Sequence, residues 1–211
     1  MAKGEAGERE SYHHPGLRLA LINAADAILR ERGVEGFTLR EAARRAGVSA
    51  AAPGHHFGNS AGLLTEVAIL GFEELTRSLQ HASTIEPATA RLRAQGIAYV
   101  GFALNHPGRF HLMFRHDLLL ADDDRLKARG EAAFGELERT IHALRVLPPD
   151  RPIDVASRAV LLGVWSTVHG FAHLALDGKF ARLGPGTRPM DLLATTLPDV
   201  LLALWPDPEV T

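Results

Sequence analysis

The chain has 211 residues, enough for one large domain or a small one fused to a medium one. Its apolar share of 46% supports a real core, and 23 Lys and Arg against 25 Asp and Glu give a net charge of −2, which excludes a pervasively basic protein but not a local basic patch. There is no cysteine for disulfides, thiol chemistry or metal ligation, no run near the roughly 18 unbroken apolar residues of a membrane span, and no apolar segment after the charged start at Met1–Glu10, so the expected location is the cytoplasm with no membrane partner.

Nearly every segment reads at helical period, and none alternates convincingly like a strand. Residues 1–14 read as a disordered tail. A first helix is predicted from Pro15 to Arg32, with Leu17, Leu21, Ala24 and Ile28 on one face and Gly33 as its stop. Thr38-Leu39-Arg40-Glu41 reads as a capping box, opening a short helix that carries Leu39, Ala42 and Ala46 inward and stops at Gly47. Ser49 is expected to cap a third short helix ending near Phe57. Asn59 is expected to cap a long fourth one with Leu64, Ala68, Gly71, Leu75 and Leu79 along one side.

A fifth helix is expected over about Glu86–Asn105, and a short one carries Phe110, Met113 and Phe114. The acidic run Asp122-Asp123-Asp124 suits the start of a seventh, which buries Leu126, Phe134 or its neighbour Ala133, Leu137, Ile141 and Leu144. After the loop at Pro148–Pro152, an eighth helix over about Ile153–Leu176 is apolar on several faces and so must be buried on two sides. Gly184-Pro185-Gly186 breaks the chain again. A last helix runs from about Pro189 to Leu204, with Pro198 expected to kink or restart it.

The stretch from Thr38 to Ser49 has helix-turn-helix grammar: a short capped helix, a glycine turn, and a second capped helix. Gly47 supplies the turn, and Ala42 and Ala46 let the helices approach closely. Such a unit presents its second helix to a DNA major groove while the first crosses the backbone. Between Pro15 and Gly58, six arginines face four acids, so the segment is locally basic within an acidic chain.

Thr38, Glu41, Ala43, Ala46-Gly47-Val48-Ser49, His56-Phe57 and Leu63-Leu64 together closely resemble the TetR family of repressors. Trp165 with His169-Gly170, and the segment His106–Arg115, resemble the branch whose C-terminal domain is named for a Trp-His-Gly motif. The resemblance spans nearly all of the chain after residue 14. It implies an all-α fold: an N-terminal three-helix helix-turn-helix bundle plus a larger C-terminal helical domain for ligand binding and dimerisation. The expected division is residues 15–60 for DNA binding, 60–80 as a connecting helix and 81–211 for the C-terminal domain.

The resemblance also implies the function, a ligand-responsive DNA-binding transcriptional repressor acting as a homodimer through its last two long helices. Its partners would be double-stranded operator DNA and a small hydrophobic effector. Carried over by residue, Thr38 contacts a phosphate, Ser49, Ala50 and Ala51 sit against the DNA, and His55 and His56 lie near its backbone. Arg18, Arg44 and Arg45 are further phosphate candidates.

Two departures bear on this. Many members have Tyr where this chain has Gly54, and Lys where it has Ser60, so two positioning contacts are missing. Ala50, Ala51 and Ala52 offer bases no hydrogen bonds, and Pro53 forfeits one early helix bond. The alternative is therefore a helical small-molecule-binding or interaction protein of the same fold with weakened or lost DNA binding.

The resemblance implies a ligand cavity with Phe102, Phe110, Met113, Phe114, Phe134, Trp165 and His169 as its candidate residues, and ordinary core packing is the competing reading for each. His106, His111 and His116 are five apart, about 140° of rotation each on an ideal helix, and cannot share a face. His169 and His173 do share one but lack a third metal ligand in sequence. No cofactor and no metal are expected. With no nucleophile elbow, phosphate loop or motif-placed carboxylate pair, an enzyme is not expected either.

Overall fold

The computed structural model describes residues 15–183 and 188–207. The expected tail at 1–14 and the break at Gly184-Pro185-Gly186 lie outside the described residues. Those residues form nine α-helices and three short 3-10 turns, with no strand among them: α1 Pro15–Arg32, α2 Leu39–Arg45, α3 Ala52–Phe57, α4 Ser60–His81, α5 Ala88–Asn105, α6 Pro107–Met113, α7 Asp124–Leu144, α8 Val155–Leu176 and α9 Pro189–Leu204.

Helix starts follow local chemistry. Asn59 accepts from the Gly62 N–H at 3.0 Å, Asp154 from Ser157 at 2.7 Å, and Asp123 from both Arg125 and Leu126. Each bond satisfies an N–H that has no partner within its own helix. Proline occupies the first turn of α6 and α9, where its missing N–H is harmless. Pro198 neither ends nor restarts α9, which is assigned as one helix to Leu204. The carbonyl that Pro198 leaves unpaired belongs to Ala194, an exposed residue that water can reach.

One apolar core runs through the molecule. It joins Leu21 and Ile28 of α1 to Leu63 and Val67 of α4, Val100 and Ala103 of α5, Phe110 of α6, and Leu197 and Leu201 of α9. Helix α4 belongs to both ends: its start meets α1 and α3, and it also packs on α5, α6 and α7. Leu64, Ala68, Gly71, Leu75 and Leu79 are all buried along it, as their spacing requires. On α7, Ala133 is buried while Phe134 stays 37% exposed, edge-on to Trp165.

Helix α6 sits where α1 and α4 can both grip it. At Gly108 an added Cβ would lie 2.6 Å from the Leu29 backbone, so only glycine permits this approach of α6 to α1. Arg109 then reaches Asp26 of α1 with two parallel hydrogen bonds of 2.7 Å.

Helix α8 has the length and mean hydropathy of a membrane-crossing helix, although Ser166, Thr167, His169 and His173 interrupt its apolar run. One face packs on α5 and α7. The other leaves Val155, Leu162 and Leu174 exposed, so within one chain the helix is not buried on two sides.

Candidate nucleic-acid interface and ligand cavity

At the N-terminal end, Thr38 caps α2 by accepting from the Glu41 N–H at 3.2 Å. The reciprocal half of the capping box does not form. The Glu41 carboxylate is drawn instead to Arg44, at 2.8 Å from both Nε and a terminal nitrogen, and to Arg45 Nε at 2.9 Å. Those guanidiniums, Arg44 first, hold the Glu41 carboxyl down to about 2. Arg45 also binds Glu31 at 2.8 Å. Gly47 has φ +71°, the left-handed turn conformation that a glycine makes easy.

The second short helix starts later than the sequence suggests. Ser49 does not cap it; the helix opens at Ala52 behind Ala51, without a side-chain cap. The reason is Pro53. A cap at Ser49 needs an N–H at position 53 to donate to the Ser49 carbonyl, and proline has none. A tighter turn takes its place, Ala52 N–H to Ser49 O at 3.0 Å, and helical bonding begins with His55 donating to Ala51. The result is a six-residue helix.

The proposed DNA contacts are unevenly placed. Thr38, Ser49, Ala50, Ala51, His55 and His56 are all exposed. Arg44 is exposed but ion-paired, and Arg45 is half-buried between two carboxylates. Arg18 turns toward the core side, with a terminal nitrogen 2.7 Å from Glu66 and its guanidinium carbon 5.3 Å from the centre of the Phe57 ring. Glu66, 9% exposed, is also held by Arg125 of α7. Arg40, counted in the local basic charge but not among the candidate contacts, is exposed and forms no ion pair among the described residues. Its place on α2 two residues after Thr38 was the available signal.

At the other end, α4, α5, α6, α7 and α8 enclose a cavity of about 250 Å³. Four of the seven expected residues line it: Met113, Phe114, Phe134 and Trp165. Phe102, Phe110 and His169 stand outside the lining. Phe102 is buried against His106, and Phe110 is fully buried against Tyr99, Phe114, His169 and His173. His169 Nδ1 lies 2.8 Å from the Tyr99 hydroxyl, one layer behind the wall.

Burial pushes His169 below its ordinary value, with nearby His173 adding to the effect, so the ring is neutral and Nδ1 can accept. Trp165 Nε1 donates to the Tyr99 oxygen at 3.4 Å, so the Tyr99 hydrogen is free to go to His169. Burial also pushes the Tyr99 phenol up, keeping it protonated.

Sequence spacing did not single out Tyr99, Gln95, Phe72 and His116 among the lining residues. Leu92, Gln95, Tyr99 and Phe102 fall on one side of α5, and a glutamine within that apolar stripe was the signal. No Lys, Arg, Asp or Glu lines the cavity. His111 comes close to His173, with ring centres 5.5 Å apart, and His173 close to His169 at 4.6 Å. Even so, no three His, Asp or Glu among the described residues are placed to hold a metal ion.

Comparison with known proteins agrees with this layout. The family model of bacterial regulatory proteins, tetR family, matches residues 21–67. The model of the tetracyclin repressor-like C-terminal domain matches residues 92–200. A protein of unknown function from Rhodococcus sp. RHA1 is 32% identical, with 93% of this chain and 98% of that one covered and a TM-score of 0.71. The TetR family transcriptional regulator PfmR from Thermus thermophilus is 21% identical, with 87% and 97% covered and a TM-score of 0.61. AibR, solved in complex with isovaleryl coenzyme A and operator DNA, is 17% identical, with 90% and 98% covered and a TM-score of 0.63. No curated protein matches the sequence.

Proposed function

Because the chain belongs to the TetR family of bacterial regulatory proteins, we propose that it is a ligand-responsive transcriptional repressor that acts as a homodimer. In this reading residues 15–60 dock on operator DNA, α4 connects, and residues 81–211 bind the effector and dimerise. The observation that carries the proposal is the double attachment of α6. Met113 forms part of the cavity wall, while Gly108 and Arg109 on the same short helix are locked to α1 of the DNA-facing bundle. A ligand that pushes on Met113 bears on α6, and a shift of α6 pulls on α1 through Gly108 and Arg109. The wall is apolar and aromatic, which favours a small hydrophobic effector. AibR, with its acyl-coenzyme A and operator DNA, is a precedent for both partners on a related fold.

Support for dimerisation comes from the uncovered faces of α8 and α9. Leu162 and Leu174 on one, and Met190, Leu202 and Leu204 on the other, are roughly half exposed. The space above Gly163 and Gly170 is open, so a second helix can approach closely. An apolar face on neighbouring helices suits a two-fold helix-on-helix contact.

The second reading keeps the fold and the ligand but drops tight DNA binding. It is favoured by Arg18, Arg44 and Arg45, which are all engaged by carboxylates, and by the short, alanine-rich α3. Fluorescence anisotropy with labelled DNA from upstream of the protein's own gene separates the two. A saturable complex that weakens steeply with salt, and is lost in a variant carrying both Thr38→Ala and Arg44→Ala, is the expected result. A complex indifferent to salt, or one surviving both substitutions, would count against this face. No saturable complex at physiological salt would favour the second reading.

A further inference from the structure

We infer that the cavity selects a compact, uncharged ligand bearing one amide-type group, and that Gln95 is the residue that recognises it; this rests on reading the cavity as the effector site. Gln95 lies on α5, is 3% exposed and lines the cavity. Neither its amide nitrogen nor its amide oxygen has a hydrogen-bond partner. Buried side-chain amides are nearly always paired, because leaving one unpaired forfeits its hydration with nothing in return.

The nearest polar neighbour on its own helix face cannot supply the pair. The Tyr99 hydroxyl is taken up by Trp165 Nε1 and His169 Nδ1, and makes no hydrogen bond with the Gln95 amide. The Gln95 amide therefore stands as an unpaired donor and acceptor in the cavity wall, covered by its neighbours, and a turn of its side chain brings both to a ligand. A ligand amide or lactam presents the complementary acceptor and donor, and one such group satisfies both atoms.

The rest of the lining narrows the class. The wall holds no Lys, Arg, Asp or Glu, so an ammonium would be buried without a counter-charge and a carboxylate would have at most the imidazole of His116. At about 250 Å³ the cavity falls below the roughly 300–1,000 Å³ of sites for drug-sized molecules. A body of phenylalkyl size fits this space and packs on Phe72, Phe114 and Trp165. The phosphate-bearing end of a coenzyme A thioester would find no Lys or Arg inside it.

The test uses the full-length protein and three probes with one body: 4-phenylbutanamide, butylbenzene and 4-phenylbutanoate. Calorimetry measures each against the wild type and Gln95→Leu. The amide is expected to bind the wild type, and to bind Gln95→Leu roughly tenfold more weakly, about one hydrogen-bonded group's worth. Butylbenzene is expected to bind both equally or to prefer the variant, and the carboxylate to bind neither at concentrations where the amide saturates. Should Gln95→Leu fold poorly, Gln95→Met keeps the volume and carries the same comparison.

Equal amide affinity in wild type and variant overturns the inference. So does a carboxylate that binds as tightly as the amide, or no binding of any probe at millimolar concentration. Operator release is measured separately. Gln95-dependent amide binding that leaves DNA affinity unmoved removes the effector role but not the recognition.

Discussion

Arg109 of α6 and Asp26 of α1 face each other fork to fork, with two hydrogen bonds of 2.7 Å and both side chains mostly shielded from water. This is the polar lock between a helix that walls the cavity and a helix that builds the DNA-facing bundle. The Asp26 carboxylate raises the affinity of the Arg109 guanidinium for its proton. Removing Asp26 leaves the Arg109 guanidinium half-buried, with Glu74 as its remaining nearby opposite charge. Asp26→Asn is expected to lower stability by about 1.5–3 kcal/mol, read as a shift in the urea midpoint at unchanged slope. If the lock transmits ligand binding, the same variant also shows a smaller difference in DNA affinity with and without effector. An unaltered midpoint would mean that water replaces the pair freely.

Gly108 offers a cleaner test of the same contact. A methyl group there meets the Leu29 backbone, which cannot rotate away as a side chain would. Gly108→Ala is expected to destabilise by ~1–3 kcal/mol through overpacking, visible as a lowered melting temperature. Gly16→Ala is the control. Its added methyl, on α1, meets open space, so the melting temperature should hold or rise slightly.

Glu41 holds two of the arginines proposed to touch DNA. Glu41→Gln keeps the shape and removes the charge, releasing Arg44 altogether and leaving Arg45 with Glu31. DNA binding is expected to tighten, and the slope of log affinity against log salt to steepen by about 0.9 for each phosphate newly neutralised. Anisotropy titrations at several salt concentrations read both. An unchanged slope would show that Arg44 reaches phosphate equally well while paired, or not at all.

Thr38 has a structural duty beside any DNA contact. Thr38→Ala is expected to cost ~1 kcal/mol from the lost cap, and Thr38→Ser close to nothing. Thermal melts of the free protein isolate this term, so a DNA deficit in Thr38→Ala beyond the stability change is what the proposed phosphate contact predicts.

Three histidines, His106, His111 and His169, sit below their ordinary value of 6.5, each mainly because burial disfavours the charged ring. The unfolded chain therefore binds more protons than the folded one as pH drops below about 6.5. Their contribution is fully present above that pH and is lost as pH falls toward the depressed values. The melting temperature is expected to drop between pH 7.5 and 5.5, and to drop less in His169→Gln, which cannot charge. A flat profile over that range would show that the rings are already charged in the fold.

The sequence alone determined the helices. Apolar spacing, the cap at Asn59, the acidic run at Asp122-Asp123-Asp124 and prolines at first turns are local signals, and they placed most ends of the nine helices within a few residues. The helix-turn-helix was legible for the same reason, since Thr38, Gly47 and Phe57 act within a stretch of twenty or so residues. Ser49 misleads because two local rules compete there, and the missing N–H of Pro53 outweighs the capping preference of serine.

What only the tertiary structure decided is which side chains meet across helices. The family resemblance offered Phe110 and His169 as cavity residues but could not distinguish a cavity wall from the layer behind it. Those positions differ by the packing of five helices, not by periodicity. The partners of Arg18, Arg44 and Arg45, the lock between Asp26 and Arg109, and the unpaired amide of Gln95 are of the same kind. Each depends on an approach of a few ångströms between side chains that the helical period alone does not specify.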